Sequence, residues 1–349
     1  MIIFRADGNK IIGSGHVMRC VAIAEALRIL HIESLFVLAE NTFVKVLEEH
    51  HFKYEILQSD YCDMESEIES FRELLDIYFP EAIIIDSYYV TFHYLESIKQ
   101  YGKVIYIDDR AEFAYPVDIL VNYNIFAKET EYKNLYKSSK MTIPTLLLGA
   151  KYVPLRKEFQ NTQKNILKEE VFKILISTGG ADSEHVMLNI VKYLEKHSIF
   201  GNYEFHFVIG AMNGDKDEIC KRTKDMKNIV LHQNVESMQR LIHNCDIAVS
   251  AAGTTLYELC ACGIPTITYI LADNQIVAEK IFAEREIMLS AGDIRTKSDF
   301  LEELFQLLNK LSNDYALRIK LVKNAYQAVN ANGVNILARK ILEEITMEE

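Results

Sequence analysis

The stretch Ser250–Ile267, SAAGTTLYELCACGIPTI, reads as a strand end, a glycine turn, a helix and the start of the next strand. CDIAVS runs into it and PTITYI runs out of it, so one βαβ crossover is spelled in a single segment. Gly253 opens the turn, Thr254 and Thr255 are helix-capping residue types, and Glu258 falls a helical turn past Thr254. Gly263 takes the place of a C′ glycine before the next strand. Free N–H groups in the first turn of such a helix attract an anion. Small donors there, with a carboxylate one turn along, suit a diphosphate beside a ribose diol. A capped structural helix with a solvated glutamate is the plainer alternative.

The same alternation extends in both directions. Toward the N-terminus lie IIF, a helical pattern over 17–30, SLFVL, a helix over 43–50, YEIL, a helix over 65–79, AIIID, a helix over 91–101 and KVIYIDD. The second half carries VFKILIS, YEFHFVIG, NIVLH, CDIAVS and PTITYI, with helical patterns between and a helical tail over 297–348. Strands alternating with helices of this length imply parallel sheets. The pattern loosens over 126–163, where FAKETEYKNLYKSSK is polar, and a linker is expected near 150–168. At 349 residues the chain exceeds the usual length of one domain, ~150 residues. The expected architecture is α/β: two doubly wound domains facing across a cleft, one over 1–155 and the other over 165–349 with the C-terminal helices.

A net charge of -12 with no lysine or arginine stripe argues against a nucleic-acid partner. A small anion remains open, because backbone N–H groups bind one locally whatever the overall charge. No apolar run approaches the ~18 residues of a membrane span, and MIIF reaches Arg5 without a signal-peptide core. A cytoplasmic location without membrane contact is therefore expected. The six cysteines are scattered and expected as buried reduced thiols; Cys260 and Cys262 lack the further ligands of a zinc site. Neither a metal nor a cofactor is expected.

In doubly wound sheets, ligands collect where a strand's carboxyl end meets a helix N-terminus. Two more glycine turns have that position. In RADGNKIIGSGHVMRC, Gly13, Ser14 and Gly15 lead through His16 into a helix. The turn admits two readings, close approach to a ligand or a loop needing positive φ with Ser14 as cap. His16 is either a base for a water near neutral pH or a satisfied capping residue. Arg5 and Asp7, at the end of the first strand, are near enough in sequence to flank it. STGGADS supplies Gly179 and Gly180 with Asp182 or Ser183 as caps. ADNQ places Asn274 and Gln275 at another strand-to-helix loop, to read a ligand edge or to cap.

These residues carry a resemblance. RADGNKIIGSGHVMRCVAIAEAL resembles the N-terminal motif of the UDP-2,4-diacetamido-2,4,6-trideoxy-β-L-altropyranose hydrolases of pseudaminic acid biosynthesis, and YVPLRKEF, ILISTGGAD and SAAGTTLYELCACGIPTI follow in that family's order. The glycine turns of the second half are also similar to those of GT-B glycosyltransferases. The resemblance implies a GT-B fold of two Rossmann-like domains, UDP held mainly by the second, and hydrolysis at C1 with inversion. It also implies a UDP-sugar and water as partners and His16 as catalytic base, and a monomer is expected. Tyr88, Asp86 and Asp108, at ends of N-domain strands, are candidates for sugar contacts. Three rivals are a GT-B glycosyltransferase with a UDP-sugar donor, a UDP-sugar 2-epimerase, and a non-catalytic binding protein in which His16 is dispensable.

Overall fold

A computed structural model of the chain describes residues 1–9, 12–160, 162, 165–180, 182–197 and 200–346. The chain divides into two compact units, Met1–Lys157 with Asn332–Glu349, and Glu158–Ala331.

The first unit runs β1 (Ile2–Ala6), α1 (Gly15–Ile29), β2 (Ser34–Leu38), α2 (Val44–Glu49), β3 (Lys53–Ile56), α3 (Ile68–Tyr78), β4 (Ala82–Asp86), α4 (Phe92–Ile98), β5 (Lys103–Ile107), β6 (Ile119–Asn122), α5 (Glu129–Ser139) and β7 (Thr145–Leu148). Its sheet has seven parallel strands in the order β3-β2-β1-β4-β5-β6-β7. The central strands β1 and β4, IIFRA and AIIID, are buried along their whole length. Near-continuous apolar runs of this kind are what a parallel strand covered on both faces requires. Ile3, Leu35, Ile83, Val104 and Leu120 from five strands pack with Phe71, Leu75 and Leu95 from α3 and α4.

The second unit runs β8 (Lys173–Ser177), α6 (Val186–Lys196), β9 (Glu204–Val208), α7 (Lys216–Thr223), β10 (Ile229–His232), α8 (Met238–His243), β11 (Ile247–Ala251), α9 (Thr255–Cys262), β12 (Thr266–Ile270), α10 (Ile276–Glu284), β13 (Leu289–Asp293), α11 (Phe300–Asn313) and α12 (Tyr315–Ala328). Its six strands are parallel, in the order β10-β9-β8-β11-β12-β13. Both sheets therefore start at a central strand, wind outward on one side, then return and wind out on the other. The strand order reverses between β1 and β4 in one sheet and between β8 and β11 in the other.

Three features depart from the sequence expectations. The polar stretch FAKETEYKNLYKSSK contains α5, which buries Tyr132 and Tyr136, four residues apart, and exposes the charged face. Its tyrosines are anchored by hydroxyls: Tyr132 donates to Asp108 at 2.6 Å and Tyr136 to the Tyr115 carbonyl at 2.7 Å. The final helix, α13 (Gly333–Thr346), belongs to the first unit and packs on α1, whereas the whole tail was expected with the second domain. Residues 347 and 348, the expected end of that helix, lie outside the described residues, as do 161, 163 and 164 of the expected linker. Of the cysteines, Cys62 is exposed and Cys220 half-buried; the other four are buried. Among the described residues no helix is long and apolar enough to cross a membrane.

Candidate functional site

Each unit gathers polar residues at its own strand-order reversal, the place where a doubly wound sheet opens a crevice. In the first unit this is the carboxyl end of β1 and β4. The loop after β1 closes on itself, with Asn9 and Gly13 exchanging backbone hydrogen bonds at 3.2 and 2.8 Å, and Gly13 has φ +76°, the left-handed conformation that favours glycine. α1 then starts at Gly15. Ser14 occupies its N-cap position but makes no side-chain cap bond, so it does not satisfy the first-turn N–H groups.

His16, in that first turn, is 6% exposed, and its ring meets Tyr88 edge-on with centroids 4.5 Å apart. Its Nδ1 is buried and has no hydrogen-bond partner among the described residues. Burial pushes its proton affinity below that of an ordinary histidine; Asp86, Asp109 and Asp7 oppose the fall and Arg19 adds to it. The imidazole is thus neutral at neutral pH, the form that accepts a proton. Tyr88 is half-buried, its hydroxyl pushed up to about 12 chiefly by burial, and the Arg110 guanidinium lies 4.7 Å from its ring centroid.

The other sequence candidates of this unit have different positions. Arg5 is fully buried: Nε and Nη2 donate to the two carboxylate oxygens of Glu67 at 2.7 and 2.8 Å, and Nη1 to Asp7 at 2.5 Å. The second oxygen of Asp7 accepts from the Ala39 N–H at 2.8 Å. Arg5 and Asp7 therefore tie β1 to the loops after β2 and β3. Asp108 is wholly buried and accepts from the Arg110 and Ala111 N–H groups and the Tyr115 and Tyr132 hydroxyls. It shapes the loop after β5 and turns no free oxygen to a sugar. Asp86 is spent on Arg19 at 2.5 Å; burial pushes its carboxyl up, and that guanidinium with His16 brings it below the usual range. Arg19 and Tyr123 were not singled out from the sequence. The available signal was that Arg19 follows His16 by one helical turn, within a helix whose next charged residue is Glu25.

The second unit's reversal, at the carboxyl ends of β8 and β11, holds a cavity of about 220 Å³ lined by Thr178, Gly179, Gly180, Gly253, Thr255 and Gln275 among others. Four of the glycine-turn candidates thus meet in one place, together with Gln275. Gly253 adopts no positive φ, and a Cβ there would meet nothing within 4 Å, so neither backbone strain nor packing calls for glycine. What glycine provides is room in the cavity. Thr178 is 2% exposed and its hydroxyl has no partner among the described residues. Thr254 takes the N-cap position of α9 with no side-chain cap bond. Asp182 accepts from the Val186 and Met187 N–H groups at 3.0 Å each, and so caps α6. Gln275 accepts from the Leu271 N–H at 2.8 Å, which fixes the loop after β12. Glu258 and Asn274 do not line this cavity; Glu258 is half-buried on α9 and Asn274 is exposed. Among the described residues, no three or more His, Cys, Asp or Glu side chains are grouped so as to hold a metal ion.

Comparison with known proteins adds a domain match and a fold. Residues 173–316 match the glycosyltransferase family 28 C-terminal domain. An uncharacterized protein of Methanocaldococcus jannaschii is 26% identical over 284 residues, 78% of this chain and 56% of that protein. This chain thus spans little more than half the length of that relative. The UDP-2,4-diacetamido-2,4,6-trideoxy-beta-L-altropyranose hydrolase of Campylobacter jejuni is 25% identical over 265 residues, 74% of this chain and 86% of that enzyme. The crystal structure of MurG from Acinetobacter baumannii superposes with a TM-score of 0.69 at 13% identity, covering 98% of this chain and 99% of that one. The fold is GT-B.

Proposed function

We propose that the chain hydrolyses UDP-2,4-diacetamido-2,4,6-trideoxy-β-L-altropyranose to UDP and 2,4-diacetamido-2,4,6-trideoxy-L-altrose, with inversion at C1. An enzyme acting on nucleotide sugars is supported by the GT-B fold, the family 28 match and the relatives together. The observation that carries the finer reading is His16, neutral, nearly buried and placed at the reversal point of the first sheet. In this reading the second unit binds the nucleotide and the first unit the sugar. His16 removes a proton from water as the water oxygen bonds to C1. The bond from C1 to the phosphate oxygen breaks, its electron pair leaves with UDP, and His16 later returns the proton to solvent. UDP is a good leaving group, so no paired carboxylic acid is needed. The backbone N–H groups of Thr254 and Thr255, and that of Gly180, stabilise the charge on the departing diphosphate, while the Gly253 N–H donates to the Ala251 carbonyl at 2.8 Å. The partners are a UDP-sugar and water.

Turnover of this UDP-sugar in ¹⁸O-water tests the reading. Label in the free sugar supports attack at C1, and label in UDP overturns it. His16→Asn is expected to keep UDP binding and lose turnover by about 10²-fold or more; near-normal turnover would dispose of the mechanism. A second reading, a glycosyltransferase with a UDP-sugar donor, is favoured by the family 28 match. It predicts release of UDP only when an acceptor is supplied.

A further inference from the structure

β10 is an outer strand of the second sheet, paired with β9 and half-buried along its length. The Phe205 N–H donates to the Asn228 carbonyl at 2.8 Å and the Ile209 N–H to the His232 carbonyl at 2.9 Å, one at each end of the β9–β10 ladder. Side chains add a further tie. His206 of β9 is 7% exposed, and its Nδ1 lies 2.9 Å from Nε2 of His232 at the end of β10. The ring planes differ by 13° and the centroids are 5.1 Å apart, so the facing nitrogens meet edge to edge, the alignment of an N–H···N hydrogen bond. The other nitrogen of His206, Nε2, lies 2.7 Å from Oε1 of Glu204, which Lys173 of β8 reaches at 3.2 Å.

The bonds fix where the protons sit. Hydrogen bonds from His206 and Lys173 hold the Glu204 carboxyl below the usual carboxylate range, so Glu204 is an acceptor at neutral pH and Nε2 of His206 carries the proton between them. Nδ1 of His206 then accepts from Nε2–H of His232. Both rings are neutral, with one proton between the facing nitrogens. A first added proton makes one ring a cation and keeps that bond, with the Glu204 carboxylate alongside. A second cannot be held in the same way: both facing nitrogens would carry hydrogen, and two cations would touch.

We infer that the His206–His232 pair is an acid-sensitive latch on the outer strand, holding β10 to β9 until a second added proton breaks the bond between the rings and opens that edge. The inference stands apart from the readings of His16 and of the nucleotide cavity.

The surroundings supply no substitute for that bond. In register, His206 is flanked by Leu175 of β8 and Val230 of β10, and His232 by Val208 of β9. On the other face of β9, Phe205 and Phe207 pack with Ile190 of α6 and Ile219 of α7. Asp246, before β11, is engaged by Lys168 at 2.7 Å and by the Phe172 and Lys173 N–H groups. The adjacent Cys245 thiol is pushed up to about 12, chiefly by burial. α8, which follows β10, carries Arg240 and His243, and Nδ1 of His243 lies 2.8 Å from the Gln239 carbonyl oxygen. Burial lowers the proton affinity of His232, and His206 adds to the fall.

In the unfolded chain each ring titrates near ~6.5. The stability tied to the second proton is therefore complete above about pH 6.5 and is lost as the pH falls toward the lower midpoint of the folded pair. The test is hydrogen exchange of the full chain at about pH 7.5 and about pH 5, corrected for the intrinsic pH dependence of amide exchange and read at Phe205, Ile209 and β10 against β8 and β11. The parent is expected to lose protection at the β9–β10 edge by about 10-fold or more at the lower pH, with less than about 3-fold change at β8 and β11. His232→Gln offers an amide N–H in place of Nε2–H and takes no proton, so its edge should stay protected. Glu204→Gln removes the anion that stabilises the first added proton and should show a larger acid loss than the parent. An edge indifferent to pH in the parent, equal falls at β8 and β11, an acid loss that persists in His232→Gln, or a smaller one in Glu204→Gln would overturn the inference.

Discussion

At the scale of single residues, two buried polar groups in the first unit obey opposite rules. His16 is buried without a charge partner on its ring and so prefers the neutral form. In the unfolded chain the same ring titrates near ~6.5 and binds a proton more readily. Protonation therefore favours unfolding: stability is complete above about pH 6.5 and falls as the pH drops through that value toward the lower folded-state midpoint. Urea midpoints measured at about pH 7.5 and about pH 5.5 should show a smaller acid loss in His16→Asn than in the parent. Arg5, by contrast, is held by two carboxylates with no exposure. Arg5→Ala strands both anions in the core and should cost about 3–5 kcal/mol in urea unfolding. From the sequence, Arg5 and Asp7 at a strand end had the same appearance as ligand contacts. Nothing local revealed that Glu67, 62 residues on, would meet Arg5. His16 was legible because histidine after a glycine turn is a local pattern; Arg19 was not, because its partners come from β4 and from the segments after β5 and β6.

At the scale of elements, the alternation of strands and helices revealed ten of the thirteen strands among the described residues and missed β6, β7 and β13. β6, β7 and β13 are four or five residues long, and β13 (LSAGD) has little apolar content. α5 reads as polar because its buried face is two tyrosines that need hydroxyl partners elsewhere. α1 shows the converse. Ten of its fifteen residues are buried, too many for one face on a sheet, so a second element has to cover it. That element is α13, which enters at Gly333, where a Cβ would stand 2.7 Å from the Val153 carbonyl oxygen. Gly333→Val should therefore destabilise the first unit by about 1–3 kcal/mol. Hydrogen exchange would locate the loss on α1 and α13, and equal protection in both proteins would refute it.

At the scale of the whole molecule, alternation of strand and helix was enough to reach two doubly wound sheets, because each βαβ step is local. The ownership of the tail was not, since an amphipathic helix carries no mark of which sheet it will cover. The second unit, residues 158–331, is continuous in sequence, and the first is not. A fragment spanning 158–331 is expected to fold alone and, in the proposed reading, to bind UDP. Calorimetry on a folded fragment that detects no UDP binding would move the nucleotide site away from the cavity at β8 and β11.

The return of α13 also sets an order of events during synthesis. The strands of the first unit leave the ribosome before any of the second, yet the covering helix of α1 emerges after all of it. Domains tend to fold as units while the chain grows. Here the second unit is complete in the growing chain before α13 emerges, and α1 lacks that covering helix until residues 333–346 arrive. Sealing of the His16 helix thus depends on a segment translated after the whole second unit, and a chain truncated before residue 333 is expected to join a finished second unit to an unsealed first.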